Sequence, residues 1–354
     1  MKHSADKQTH LRSRFQGGLS LIELMVSITI GLLILVALSS MFINQSKTRV
    51  ELDKSNRMID NGRYAMELLT NNLSMAGYYS QYAPVGVPTT LYDPCDIASL
   101  TNPATNPDIL ELNVQGYNAA NSTSLISSLP CGSAYVTTGG LTYTAGSPAS
   151  VSPGSDILAI RRASTAISAS ATSGITYLQV SMCPTDVPGP PNNYQIAVAP
   201  ASFSSMHKMD CATAANLRPF MVLTYFVSPS DNVNNGVGDG IPTLKQIDQY
   251  GNVTSLVEGI EYLQFDYGID DTGDGEADRY VDCSTCTLAD WSNVVSVRIN
   301  LIARNQQMTA GWSDSKTYSL GLDGTAGPFN DAYKRHAFTQ LVRLVNPSGR
   351  REQP

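Results

Sequence analysis

Residues 19–43, LSLIELMVSITIGLLILVALSSMFI, form a continuous run of apolar and small side chains broken by one ionisable residue, Glu23. A helix needs about 20 residues to cross a hydrocarbon core, so this run reads as a membrane segment. Ahead of it, Lys2, Lys7, Arg12 and Arg14 outnumber Asp6. That excess of positive charge places residues 1–18 in the cytoplasm and the chain after residue 43 outside it. A secretory signal would be cut after its apolar core at a small-x-small site, and Val36-Ala37-Leu38 lacks the second small residue. The small pair Gly17-Gly18 lies before the run, so cleavage there leaves the hydrophobic helix on the mature protein.

The rest of the chain is of a different kind. All 19 prolines lie at or beyond Pro84, whereas residues 1–83 hold only five of the 27 glycines. The first quarter can therefore be helical, and the remainder is rich in turns. With 42% hydrophobic and 15% charged residues the chain is too apolar for disorder. Its length of 354 residues suits two average domains, or one large domain with an appendage. Net charge is -7 although the first 18 residues are basic, so the body is acidic. General nucleic-acid binding is excluded on that ground, since it needs cationic surface to displace counterions from phosphate.

After Ile43 the pattern becomes amphipathic. Met58, Ala65, Leu69, Leu73 and Ala76 recur at helical steps with charged and amide residues between them. With Gly77 as a C-terminal stop, residues 19–76 are expected to form one rod of roughly 85 Å at about 1.5 Å per residue. Glu23 is the anomaly in its first half. A carboxylate at membrane depth costs about 2.5–3.5 kcal/mol on insertion scales unless it is paired or protonated. It either snorkels to the headgroups or finds a partner. Cleavage between Gly18 and Leu19 would create an α-amino group on the same helix face, and in an assembled bundle one subunit's amine could neutralise a neighbour's carboxylate.

Residues 84–218 carry short strand-like runs, at 109–112, 157–160 and 177–180, joined by long loops. Clearer strands follow at 220–227, 262–267 and 294–304. In the last, Val295, Val297, Ile299 and Leu301 alternate with Ser296, Arg298 and Asn300, the pattern of a half-buried strand packed on the helix stripe. Six cysteines lie on the exported side, where disulfides persist. Closeness in sequence suggests Cys95 with Cys131, Cys183 with Cys211 and Cys283 with Cys286 among the 15 connectivities. Cys283-Ser284-Thr285-Cys286 could also be read as a redox or zinc motif, but its acidic-loop context favours a structural disulfide.

Asp270, Thr272, Asp274 and Asp278 around Gly275, with Glu276 beside them, follow the spacing of a calcium loop. Val281 occupies the position where a bidentate Glu is expected. A solvated acidic turn fits the same residues, so calcium is the one cofactor the sequence suggests, beside that plain alternative; Asp231–Gly236 is a poorer echo read as a loop. Catalysis has little support. His207 and His336, the two histidines outside the leader, come with no recognisable nucleophile or metal motif, and the chain is expected not to be an enzyme.

Gly18-Leu19-Ser20-Leu21-Ile22-Glu23 resembles the class III signal of type IV prepilins, in which a basic leader ends in Gly before an apolar run with Glu. Leu19 stands where Phe is commoner. The stretches Leu256–Glu261, Tyr267–Asp270, Trp291–Ile299 and Tyr333–Leu344 look like the PilW-type minor pilins, while residues 84–218 match no motif. The resemblance implies cleavage after Gly18 by a prepilin peptidase, N-methylation of Leu19 and docking through Glu23. It implies an α+β pilin-like fold in which a long N-terminal helix packs on an antiparallel β-sheet, with a loop-rich β insertion. The expected organisation is a cleaved leader at 1–18, a transmembrane half-helix at 19–43, an amphipathic half at 44–83, the insertion at 84–218 and a pilin-type sheet region at 219–354. Such a protein sits in the inner membrane with a periplasmic body, then joins the surface pilus near its tip. Its implied partners are other minor pilins, the major pilin, a tip adhesin and the inner-membrane assembly platform. A type II secretion pseudopilin shares the same N-terminus, and a membrane-stalked calcium-dependent adhesin is an alternative of another class.

Overall fold

The computed structural model describes residues 18, 20–84, 86–96, 108–132, 140–144, 147–186, 193–234 and 236–352. The chain divides after Asp53 into two compact units. One continuous helix, α1 (Leu21–Ser74), contributes to both. Nothing in its sequence breaks it, since it contains no proline and only Gly31 and Gly62 among glycines. It closes with tightened turns, Met75 N to Asn72 O and Ala76 N to Leu73 O, and the chain then turns at Gly77 with φ +70°. A side chain there would also meet Asn113 Oδ1 at 2.3 Å, so both backbone and space require glycine.

In the first unit the helix buries almost nothing. In the second, Met58, Gly62, Ala65, Met66, Leu69 and Leu73 form a buried stripe. The amphipathic reading is met, and Gly62 fills the gap the apolar pattern left between Met58 and Ala65. Phe338 needs that gap: a Cβ at residue 62 would lie 2.2 Å from its ring.

Two antiparallel sheets enclose the stripe. The larger contains β1 (Val114–Tyr117), β2 (Ile157–Ala163), β3 (Thr176–Val180), β4 (Tyr194–Val198), β5 (Leu217–Ser228), β6 (Thr243–Asp248) and β7 (Val253–Glu258). Its path runs β1-β2-β5-β3-β4, with β6 also on β5 and β7 on β6. At 12 residues β5 is long enough to pair with β3 through 217–219 and with β6 through 223–228. This sheet therefore takes strands from both sides of residue 218, where the sequence changes texture. The second sheet contains β8 (Ile260–Ile269), β9 (Arg279–Val281), β10 (Val294–Arg304) and β11 (Arg335–Arg343), in the order β9-β8-β10-β11. One core cluster joins Leu69 and Leu73 of α1, Ile160, Val222 and Tyr225 of the first sheet, and Phe265, Ile299 and Leu301 of the second. The architecture is α+β and pilin-like, a long helix with antiparallel sheets.

Two local expectations differ from the structure. Residues 109–112 do not form a strand; Ile109–Glu111 make a single 3₁₀ turn, whose apolar side chains enter the core from the turn. Nor is β10 half-buried, because Ser296 and Asn300 on its polar face are 6% and 2% exposed. The excursion at 305–334 returns over Asn300 at Gly321, Asn300 donates to the buried Asp266 at 3.1 Å, and the Tyr280 hydroxyl lies 3.2 Å from that of Ser296. The register also shifts where Gly268 pairs with Ser296 and Ile269 with Val294. This bulge gives Val294, instead of Val295, a place in the core cluster with Val297 and Ile299.

Disulfides join Cys95 to Cys131, Cys183 to Cys211 and Cys283 to Cys286. The first two close sequence separations of 36 and 28 residues. In the loop-entropy account each removes roughly 3.5–4 kcal/mol of freedom from the unfolded chain. The third spans only three residues and pins a local turn.

Candidate assembly site

The N-terminal site is built by the start of α1. Leu24 N donates to Ser20 O at 3.0 Å, so the helical bonding begins one turn before Glu23 and places that carboxylate in the first turn. Hydroxyls within the apolar run turn back onto the helix: Ser27 Oγ to Glu23 O at 2.7 Å, Thr29 Oγ1 to Val26 O at 2.8 Å and Ser40 Oγ to Ala37 O at 2.9 Å. Those polar groups are satisfied locally. The Glu23 carboxylate makes no hydrogen bond or ion pair among the described residues.

Around it the surface is oily. Sixteen large apolar side chains between Leu21 and Ile43 are half or more exposed. At about 1.5–3 kcal/mol for burying each such side chain, leaving them in water costs tens of kcal/mol. The most apolar 18-residue window has mean hydropathy 2.6, and none of it is buried among the described residues. By length and composition this segment anchors the protein in a membrane. At Gly18 a Cβ would meet nothing within 4 Å among the described residues. Leu19, the expected methylated residue, lies outside the described residues.

The acidic loop is held by its own backbone and by arginines. Asp270, 1% exposed, accepts from Gly275 N at 2.9 Å and from Gly273 N, and pairs with Arg351 at 3.2 Å. Burial would raise its pKa, but those amides and the guanidinium outweigh it and hold the carboxyl below its ordinary value. Asp278 Oδ2 accepts from Asp271 N at 2.8 Å and Thr272 N at 3.0 Å, Asp274 accepts from Glu276 N, and Glu276 is exposed. Arg279 bonds Asp271 at 2.7 Å and also Asp290. Among the described residues, no three carboxylates of this loop bring oxygens within 4.8 Å of one another. Of the expected calcium ligands, Asp270, Thr272 and Asp278 lie together, with Thr272 Oγ1 3.5 Å from Asp270 Oδ1 and 3.2 Å from Asp278 Oδ2, while Asp274 turns to Glu276 N and Glu276 is exposed; Arg351 supplies positive charge beside Asp270 from α2 (Val345–Arg351).

The histidines have structural settings. His207 Nδ1 lies 2.9 Å from Asp186, whose other oxygen takes the Ser181 hydroxyl at 2.5 Å. The carboxylate sits between serine and imidazole, so the contact through which a histidine base would activate a serine is missing. His336 packs edge-on against Phe338.

Sequence reasoning missed the strongest charged cluster. Arg335, with 1% of its side chain exposed, reaches Glu261, Asp314 at 3.1 Å and Asp331 at 2.7 Å, and lies 3.7 Å over the Phe329 ring. Its partners are spread over 70 residues of chain and leave no local pattern. They fasten the 305–334 excursion to the second sheet.

Residues 224–346 match the family model described as Type IV Pilus-assembly protein W. Residues 13–39 match the Prokaryotic N-terminal methylation motif. The first match begins within β5 and ends just beyond β11; the second includes Gly18, Leu19 and Glu23. No curated protein and no solved structure gives a significant match.

Proposed function

We propose that this type IV pilin-like, membrane-anchored chain is a minor pilin. It is held in the inner membrane with its body in the periplasm, primes pilus assembly with other minor pilins and remains near the tip. The observation that carries this reading is the pairing of an exposed apolar half-helix with one carboxylate that has no partner among the described residues. The apolar surface rests first in the bilayer and then against neighbouring helices in the filament, so it stays out of water throughout extraction. Prepilin peptidase cuts after Gly18, and Leu19 carries the new, methylated amine. Glu23 of one subunit then receives the amine of another, which fixes the register of lateral packing.

Mass spectrometry of the membrane fraction tests the reading, with Leu19 as the expected first residue, bearing one methyl group. Recovery of the protein with its leader intact, in cells that still make pili, would overturn it. Glu23→Ala should leave processing intact and reduce recovery in sheared filaments by about tenfold or more. Normal recovery would remove the docking role. A type II secretion pseudopilin shares this N-terminus; recovery in pili, and not in a secretion complex, distinguishes the two.

A further inference from the structure

Among the described residues the second sheet has a long open edge. Leu344 N donates to Val295 O and Asn305 N to Lys334 O, which fixes the alternation along β11. Residues 336, 338, 340 and 342 turn their main-chain groups toward β10, while Ala337, Thr339 and Leu341 turn theirs outward. Natural edge strands are blunted by brevity, bulges, proline or lysine. The other edge strands, β9, β1, β4 and β7, are only three, four, five and six residues long. By contrast β11 has nine residues in continuous register with β10, and between Arg335 and Arg343 it contains no proline, no lysine and no ionisable residue other than His336.

A groove of about 310 Å³ follows this edge. Met66 of α1 and Phe338 and Gln340 of β11 line it, with Arg63 and Glu67 exposed at its rim. On the opposite face Leu341 is 54% exposed. Both faces beside the open edge therefore hold apolar surface that an added strand would cover. A second copy of this chain fits poorly, because antiparallel pairing at fullest overlap, about Thr339, sets Arg343 against Arg335.

We propose that β11 is a docking edge for β-augmentation by a different polypeptide. It takes an extended segment of about five residues, uncharged where it faces Ala337 to Leu341, with a large apolar side chain in the groove. Main-chain hydrogen bonds at Ala337, Thr339 and Leu341 supply affinity, and the groove supplies selectivity.

The test uses the full chain in cells, with a photo-crosslinking phenylalanine analogue replacing Leu341 and the cross-linked peptide mapped by mass spectrometry. The expected product is an adduct with an uncharged, extended stretch of another chain. Thr339→Pro removes one outward N–H without touching the β10 ladder, and should lower adduct yield about tenfold at unchanged thermal stability; Thr339→Val should leave the yield unchanged. Should Thr339→Pro destabilise the fold, Ala337→Lys, at the same edge, replaces it with the same expectation. An adduct between two copies of this chain, a yield indifferent to both edge variants, or no adduct in cells where the protein assembles, would overturn the proposal. Leader removal is scored on the same gels, so failure here is distinct from failure of the pilin reading.

Discussion

The first half of α1 and the body that follows it use the same chemistry in opposite ways. Between Leu21 and Ile43 the apolar side chains face outward and the one carboxylate, Glu23, has no partner among the described residues. In the body the apolar side chains are inside, and charged groups are buried only with partners. Arg161, fully buried, donates to Tyr92 O at 3.2 Å and to Gln115 Oε1 at 2.8 Å; Lys245 donates to Pro148 O and Asp231 O; Asp156 accepts from Ala119 N and Phe265 N. A buried charge must be satisfied. The body does so with its own distant segments, which makes those charges structural. In the anchor Glu23 has no such partner among the described residues, in keeping with the docking role proposed for it.

The contrast breaks most visibly at Arg335. Arg335→Ala strands Glu261, Asp314 and Asp331 around an empty space, and about 3–5 kcal/mol of stability should be lost in denaturant titration of the full chain in detergent. Glu23→Ala in the same assay should change the body's stability by less than about 0.5 kcal/mol, since its carboxylate has no partner among the described residues. A large loss there would end the contrast. Gly62→Leu should cost about 2 kcal/mol, because Phe338 already occupies the space a side chain would need.

A smaller, pH-dependent effect belongs to Asp323. Burial, with the nearby charges of Asp282 and Asp266, pushes its carboxyl up to about 6 despite a hydrogen bond from Asn118. The folded state therefore holds a proton that the unfolded state, titrating near 3.8, releases earlier. This contribution is complete below the unfolded value and is lost as pH rises toward the folded one. Asp323→Asn should raise stability at pH 7.5 by about 1 kcal/mol and change it little at pH 3.5. The smallest effect is expected at the acidic loop, whose carboxylates already hold loop amides and arginines. Millimolar calcium should leave the melting temperature within about 1 °C, and a clear upward shift would favour calcium binding over the plain acidic turn.

The helix was legible because its signals are local. Uninterrupted hydropathy, absent prolines and the Met58 to Ala76 spacing all act within a few turns, and β10 was legible over its whole length for the same reason. The bulge at Val295, the covered polar face of β10 and the 3₁₀ turn at Ile109 were not, since each depends on what packs against it. The family resemblance held over the two stretches that later matched. In the candidate site, Gly18 and Glu23 were conspicuous as exceptions to their surroundings. The carboxylates of the acidic loop were equally conspicuous, yet their spacing could not say whether they would face a cation, their own amides or Arg351.

By itself the sequence determined that one segment must leave water and that an acid within it needs a partner, because solvation is a property of composition over a short stretch. Only the tertiary structure decided which charges are matched internally, which strand edge is left open and where Gly62 yields to Phe338. Those outcomes depend on which remote residues are brought within a few ångströms, and linear order does not encode that distance.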